Sequence, residues 1–115
     1  MPRDVSDLLH GTLDVLVLKA LSLGPLHGYA VTEWIERHGD GDLVIVDAAL
    51  YKALHRLEDG GAIEAEWGLS ENNRTAKFYR LSRTGRRRLE SGSSSWHQFV
   101  DAAGRALRST SPAPA

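Results

Sequence analysis

Residues 47–81 read DAALYKALHRLEDGGAIEAEWGLSENNRTAKFYRL, and this stretch decides the fold. Its first part sets Leu50, Ala53, Leu54 and Leu57 at helical spacing, which predicts a helix over Ala48 to Asp59 with one apolar face. Asp47 offers its carboxylate as the N-cap. Gly60-Gly61 stops the helix, since glycine supplies the positive φ that a helix C-terminus favours. Two strand-like runs follow, Ile63 to Leu69 and Ala76 to Leu81, joined as a hairpin by the polar stretch Ser70 to Thr75.

Upstream, Leu8 to Leu23 is predicted as a helix. Apolar residues fall at 9, 13, 16, 17, 20 and 21, with Val15 and Leu18 on the other side. A helix apolar nearly all round needs cover on both sides, and in so small a chain a second copy is the natural cover. Gly24-Pro25 ends it, because proline disfavours helical geometry at the preceding residue. His27 to His38 is a second helix with Ala30, Val31, Trp34 and Ile35 on one face. Gly39 to Asp42 is a turn, and the β-branched run Leu43 to Val46 reads as a brief strand.

Downstream, Ser82 caps a last helix running to about Leu107. Leu89, Trp96, Phe99, Val100, Ala103 and Leu107 lie along one stripe near heptad spacing. Ser91-Gly92-Ser93-Ser94-Ser95 weakens that helix, because interior glycine costs about 1 kcal/mol relative to alanine. The stripe stays in phase across it, which favours helix over linker. The order is helix, helix, short strand, helix, hairpin, helix. That is an α+β, mainly α fold: a winged helix-turn-helix over residues 1–81, an added C-terminal dimerisation helix over 82–108, and a disordered tail over 109–115.

The 115 residues make one domain. There is no cysteine, which excludes disulfides and thiolate metal sites and fits a reducing cytoplasm. The apolar stretch Leu13 to Leu23 is too short to span a bilayer, and no secretory leader precedes it. The five histidines show no metal-binding spacing, no glycine-rich phosphate loop follows a strand, and nothing marks a nucleophile. No cofactor, metal or enzymatic activity is expected. Net charge is −1, but it is unevenly spread. Seven basic residues and no acid lie between Asn72 and Leu89. Either an anionic partner meets that region or it is a solvated basic face.

In a winged helix-turn-helix the helix after the short strand enters the DNA major groove. Its outward residues here are Tyr51, Lys52 and His55, with Arg56 either beside them or paired to a neighbouring acid. The plainer alternative is an ordinary exposed helix face. On the hairpin, Asn72, Asn73, Arg74 and Lys77 form a second candidate set. Arginine on a β-loop can follow a narrow minor groove, while Lys77 and Arg80 suit phosphate. A polar turn is the alternative. Arg83, Arg86, Arg87 and Arg88 point several ways and receive no role. Trp96 either anchors a dimer interface or lines a slot for a flat aromatic ligand. Trp34 and Trp67 read as core or edge residues.

The motifs resemble the PadR family. Leu9-His10-Gly11-Thr12-Leu13-Asp14-Val15-Leu16-Val17-Leu18 followed by Pro25-Leu26-His27-Gly28-Tyr29 looks like the family's opening. Leu50-Tyr51 with Ala53-Leu54-His55-Arg56-Leu57-Glu58 is similar to its recognition helix. Glu71-Asn72-Asn73-Arg74 with Ala76-Lys77-Phe78-Tyr79-Arg80-Leu81 is similar to the wing of its acidobacterial-type branch. The resemblance covers about Leu8 to Leu107. It implies a dimeric repressor held together by its first and last helices, bound to a pseudo-palindromic double-stranded operator and released by a small aromatic or drug-like effector. The chain departs from the pattern at Ala48-Ala49, where the family reads Gly-Ser, and at Lys52, where it reads Pro. Rival readings keep the fold as a protein-interaction module without specific DNA binding, or as a dimer whose ligand sensing dominates.

Overall fold

The computed structural model of the chain describes residues 5–114, with side chains from residue 11 onward. The first four residues of the predicted winged-helix unit, Ala115 of the predicted tail, and the side chains of Leu8, Leu9 and His10 lie outside the described residues. The elements are α1 (Val5–Leu21), β1 (Leu26–His27), α2 (Gly28–His38), α3 (Asp47–Asp59), β2 (Ile63–Leu69), β3 (Thr75–Leu81) and α4 (Arg83–Arg108). The sheet is antiparallel in the order β1-β3-β2. Ile63 pairs with Leu81 at the base of the β2–β3 hairpin and Leu69 with Thr75 near its tip.

The short strand lies elsewhere than predicted. Leu43 to Val46 forms no strand, and Val44 is 80% exposed. Only Ile45 packs against the core, and its N–H donates to the Glu36 carboxylate at 2.9 Å. The free edge of β3 is taken by Leu26 and His27, which pair with Tyr79 and Phe78. A β-branched run forms a strand only where a partner edge is open to it.

Two helix starts also differ. His27 sits just outside α2, and its Nδ1 accepts the Ala30 N–H at 3.1 Å. The N-cap of α3 is Val46, with no side-chain bond. Asp47 is instead the first helical residue, where its charge favours the positive end of the helix dipole. The stop is as the sequence predicts. Gly61 adopts φ +74°, and the Ala62 N–H reaches back to the Leu57 carbonyl at 2.9 Å.

The core joins Val17, Leu18 and Leu21 of α1, Val31 and Ile35 of α2, and Leu50, Ala53, Leu54 and Leu57 of α3 to Ile63, Tyr79 and Leu81 of the sheet. Leu18, expected on the far side of α1, is thus in the core. The side bearing Val15 is met by α4 of the same chain, where a Cβ on Gly92 would lie 2.8 Å from Val15 Cγ2. The apolar surround of α1 is therefore largely covered within one chain.

The same contact accounts for the serine- and glycine-rich stretch. α4 is helical throughout Ser91 to Ser95, and small side chains there let it cross α1 closely. Packing offsets the roughly 1 kcal/mol that an interior glycine costs. Ser82 caps α4 as predicted: its hydroxyl accepts the Gly85 N–H at 3.0 Å and donates to the Gly61 carbonyl at 2.6 Å. At 1.5 Å per residue α4 is about 39 Å long. The described chain measures 66 × 28 × 27 Å. Residues 109–114 form neither helix nor strand. No helix among the described residues is long and apolar enough to cross a membrane.

Candidate nucleic-acid interface

The hairpin leans over the start of α2 and one side of α3, leaving a cleft of about 670 Å³ between them. Tyr51 of α3, Asn72 and Arg74 of the hairpin loop and Lys77 of β3 all line it. Lys52 and His55 are exposed on α3 but do not line the cleft. Asn73 holds the tip in the left-handed region at φ +60°, its N–H donating to the Ser70 carbonyl at 2.9 Å. Asparagine tolerates that conformation better than most residues. The Ser70 N–H donates to the Arg74 carbonyl at 2.8 Å, closing the loop and presenting the Arg74 side chain, which is exposed.

Tyr51 is half-exposed at 49% because it leans on a neighbour without a side chain. A Cβ on Gly28 would come within 3.0 Å of its Oη and 3.2 Å of its ring. The start of α2 therefore sets the direction in which the phenol points.

Two candidate cations are engaged within the chain. Arg56 places Nη2 2.7 Å from Asp14 Oδ1, so it pairs with an acid on α1, the second of the two roles open to it from sequence. Lys77 Nζ lies 3.3 Å from Glu58 Oε1 and 5.5 Å from the centre of the Tyr79 ring. The hydrogen bond to Glu58 is the main reason the Lys77 ammonium titrates above its ordinary range. Burial pushes the Tyr79 phenol up. Arg80 bridges Glu64 and Glu66 at 3.3 Å each on the outer face of the hairpin.

Among the lining residues that sequence reasoning missed are two exposed aromatics, Tyr29 and Trp67, 69% and 68% exposed, and two acids, Glu33 and Glu71. The signal for Trp67 was its strand parity. Ala65, Trp67 and Leu69 share the face opposite Glu64 and Glu66, and the first two pair with Tyr79 and Lys77.

The residues expected at a dimer interface or effector pocket divide into two groups. Leu89 and Trp96 line a largely apolar cavity of about 440 Å³ with Thr12, Val15, Leu16 and Lys19 of α1. Phe99, Val100 and Leu107 continue along α4 beyond that cavity and are exposed, and Ala103 is half-buried among them.

The family model described as the transcriptional regulator PadR-like family matches residues 17–91, well over half of the chain. The chain belongs to the PadR-like family of transcriptional regulators. It is similar to a PadR-family transcriptional regulator from Eggerthella lenta, at 33% identity and a TM-score of 0.75, covering 92% of this chain and 90% of that one. A transcriptional regulator from Clostridium thermocellum superposes with a TM-score of 0.77 at 26% identity, covering 86% and 96%. Bacillus subtilis PadR, solved in complex with operator DNA, shares the fold at 22% identity and a TM-score of 0.61 over 90% of this chain and 51% of that one. The α3–hairpin cleft is thus part of a PadR-like winged helix, and all of its lining residues fall within residues 17–91.

Proposed function

We propose that this PadR-like regulator works in the cytoplasm as a homodimeric repressor on a pseudo-palindromic double-stranded operator. One α3 and one hairpin from each protomer meet the DNA. Tyr51, Lys52 and His55 face the major groove, Asn72, Asn73 and Arg74 meet the adjoining backbone or minor groove, and a flat aromatic effector at Trp96 releases the complex. The observation that carries the reading is the cleft itself: Tyr51 from the exposed face of α3 and a looped cation, Arg74, both line it. Operator binding by the Bacillus subtilis neighbour supports it. Arg56 and Lys77 contribute through the fold, holding α3 to α1 and to the hairpin.

Selection of bound duplexes from a random pool tests this. A two-fold symmetric consensus is expected, and replacing Tyr51 or His55 by alanine should cost about 1–3 kcal/mol and relax one position per half-site. If Lys52→Ala weakens all sequences equally, Lys52 is a phosphate contact. Weak binding to every sequence would favour a protein-interaction module. For the effector, a fluorescent aromatic probe should quench Trp96 and lower operator affinity together.

Gly28→Ala separates positioning from folding. The new methyl crowds Tyr51, which is half-exposed and can swing outward, so stability should change by under about 1 kcal/mol, at the low end for overpacking. Operator affinity should fall by about as much as for Tyr51→Ala. Thermal melts and operator titrations check the two readouts. Intact affinity with reduced stability would mean that the direction of Tyr51 is irrelevant to DNA.

A further inference from the structure

The basic charge of residues 72–89 is partly neutralised inside the molecule. Lys77 is matched by Glu58, and Arg80 by Glu64 and Glu66. The exposed Arg83, Arg86, Arg87 and Arg88 have no side-chain ion pair or hydrogen bond among the described residues. Their placement works against the helix that bears them. The first turn of α4 holds no acid, and cations there oppose the positive end of the helix dipole. Gly85 and Leu89 face inward, so Arg83 and Arg87, four apart, share the outward face and repel one another. A helix start arranged for stability alone would carry acids in this turn.

The patch also adjoins the helix proposed to enter the groove. Ser82 bonds to the Gly61 carbonyl, and Arg88 Nη1 lies 3.2 Å from where a Gly60 Cβ would be, at the C-terminus of α3. α3 is about 20 Å long at 1.5 Å per residue. The major groove is about 12 Å wide. Laid across the groove, a helix of that length overruns its width, and one end then lies at a flanking phosphate ridge.

We propose that Arg83 and Arg87 form a second phosphate-binding surface, which grips the DNA backbone beside the C-terminal end of α3. This rests on the operator-binding reading above. It makes the start of α4, rather than the strand cations of the hairpin, the main electrostatic anchor.

The test is operator affinity across a salt series for wild type, Arg83→Gln/Arg87→Gln, Arg83→Lys/Arg87→Lys and Lys77→Gln, with thermal midpoints for each. Each phosphate that a variant no longer neutralises flattens the plot of log K against log salt by about 0.9. The glutamine pair should flatten it by roughly twice that per protomer, with an unchanged or higher thermal midpoint, because repulsion is relieved. The lysine pair, keeping the charge, should restore most of the slope. Lys77→Gln should change the slope less than the glutamine pair does. An unchanged slope in the glutamine pair, on a wild type that binds its operator, overturns this inference and leaves the function standing. So does a lowered midpoint that the lysine pair repairs without any change of slope. A wild type that binds no duplex at any salt removes the function reading itself.

Discussion

Gly85→Ala should cost about 3 kcal/mol, the upper end of what overpacking a core does. In a domain of this size 1 kcal/mol moves the thermal midpoint by about 4 °C, so the expected drop is roughly 12 °C. Gly85 is buried where α4 begins. A Cβ there would overlap the Ala62 carbonyl oxygen and come within 2.8 Å of Leu81 Cδ1. The carbonyl cannot retreat freely, because it accepts the Ser82 N–H at 3.0 Å and so fixes the junction between the sheet and α4. Gly92→Ala is the control. Its new methyl would meet a side-chain methyl of Val15 rather than backbone, and the gain of about 1 kcal/mol in helix propensity opposes the crowding. Thermal melts of both variants check the contrast. Equal stability of Gly85→Ala and wild type would mean that α4 does not cross Ala62 as described.

The second large effect concerns α4 beyond the cavity. Phe99, Val100 and Leu107 are 55%, 40% and 86% exposed in the single chain, and Trp96 is 39% exposed. In the two-fold arrangement proposed above, these side chains bury against the partner. Full burial of such a side chain contributes on the order of 1.5–3 kcal/mol, and about half of that is still to be gained where half of the side chain is exposed. Truncating Trp96 and Phe99 to alanine in both protomers therefore removes roughly 3–6 kcal/mol, which corresponds to about two to four decades in the dimer dissociation constant. Wild type should sediment as a dimer at micromolar concentration and the double variant as a folded monomer. The monomer should stay folded, because neither residue joins the buried core, and lose operator affinity. A wild type that stays monomeric at every concentration sinks the arrangement.

The readable parts of the fold were those with a local cause. Leu50, Ala53, Leu54 and Leu57 repeat at helical spacing, and all are buried. Ser82 stands where a cap is needed and makes the bond. What could not be read depended on what lies opposite. Leu43 to Val46 has strand chemistry but no open edge, while Leu26-His27, too short to show any pattern, lies beside β3. The glycine and serines of 91–95 have the composition of a weak helix, and only the approach of Val15 explains why small residues stand there. At the candidate site, Tyr51 and Arg74 were legible as exposed polar residues on a helix and a hairpin loop, and both line the cleft. The commitments of Arg56 to Asp14 and of Lys77 to Glu58 were not, since those partners are 42 and 19 residues away. Of the two places open to Trp67 from sequence, core or edge, it takes the edge, on the outer strand β2. Here it shares the inner face but lies beyond the reach of the core.

Asp14 has a wider consequence. α1 carries it on one flank, bonded to Arg56 of α3, and carries Thr12, Val15, Leu16 and Lys19 on the flank that walls the cavity beside Trp96. One rigid rod thus has α3 fastened to one side and a fillable space on the other. Any occupant that rolls the rod must either drag α3 with it or break a 2.7 Å bond. Arg56→Lys, which keeps the charge but not the reach and geometry of the guanidinium, should therefore leave the two sides free to answer separately.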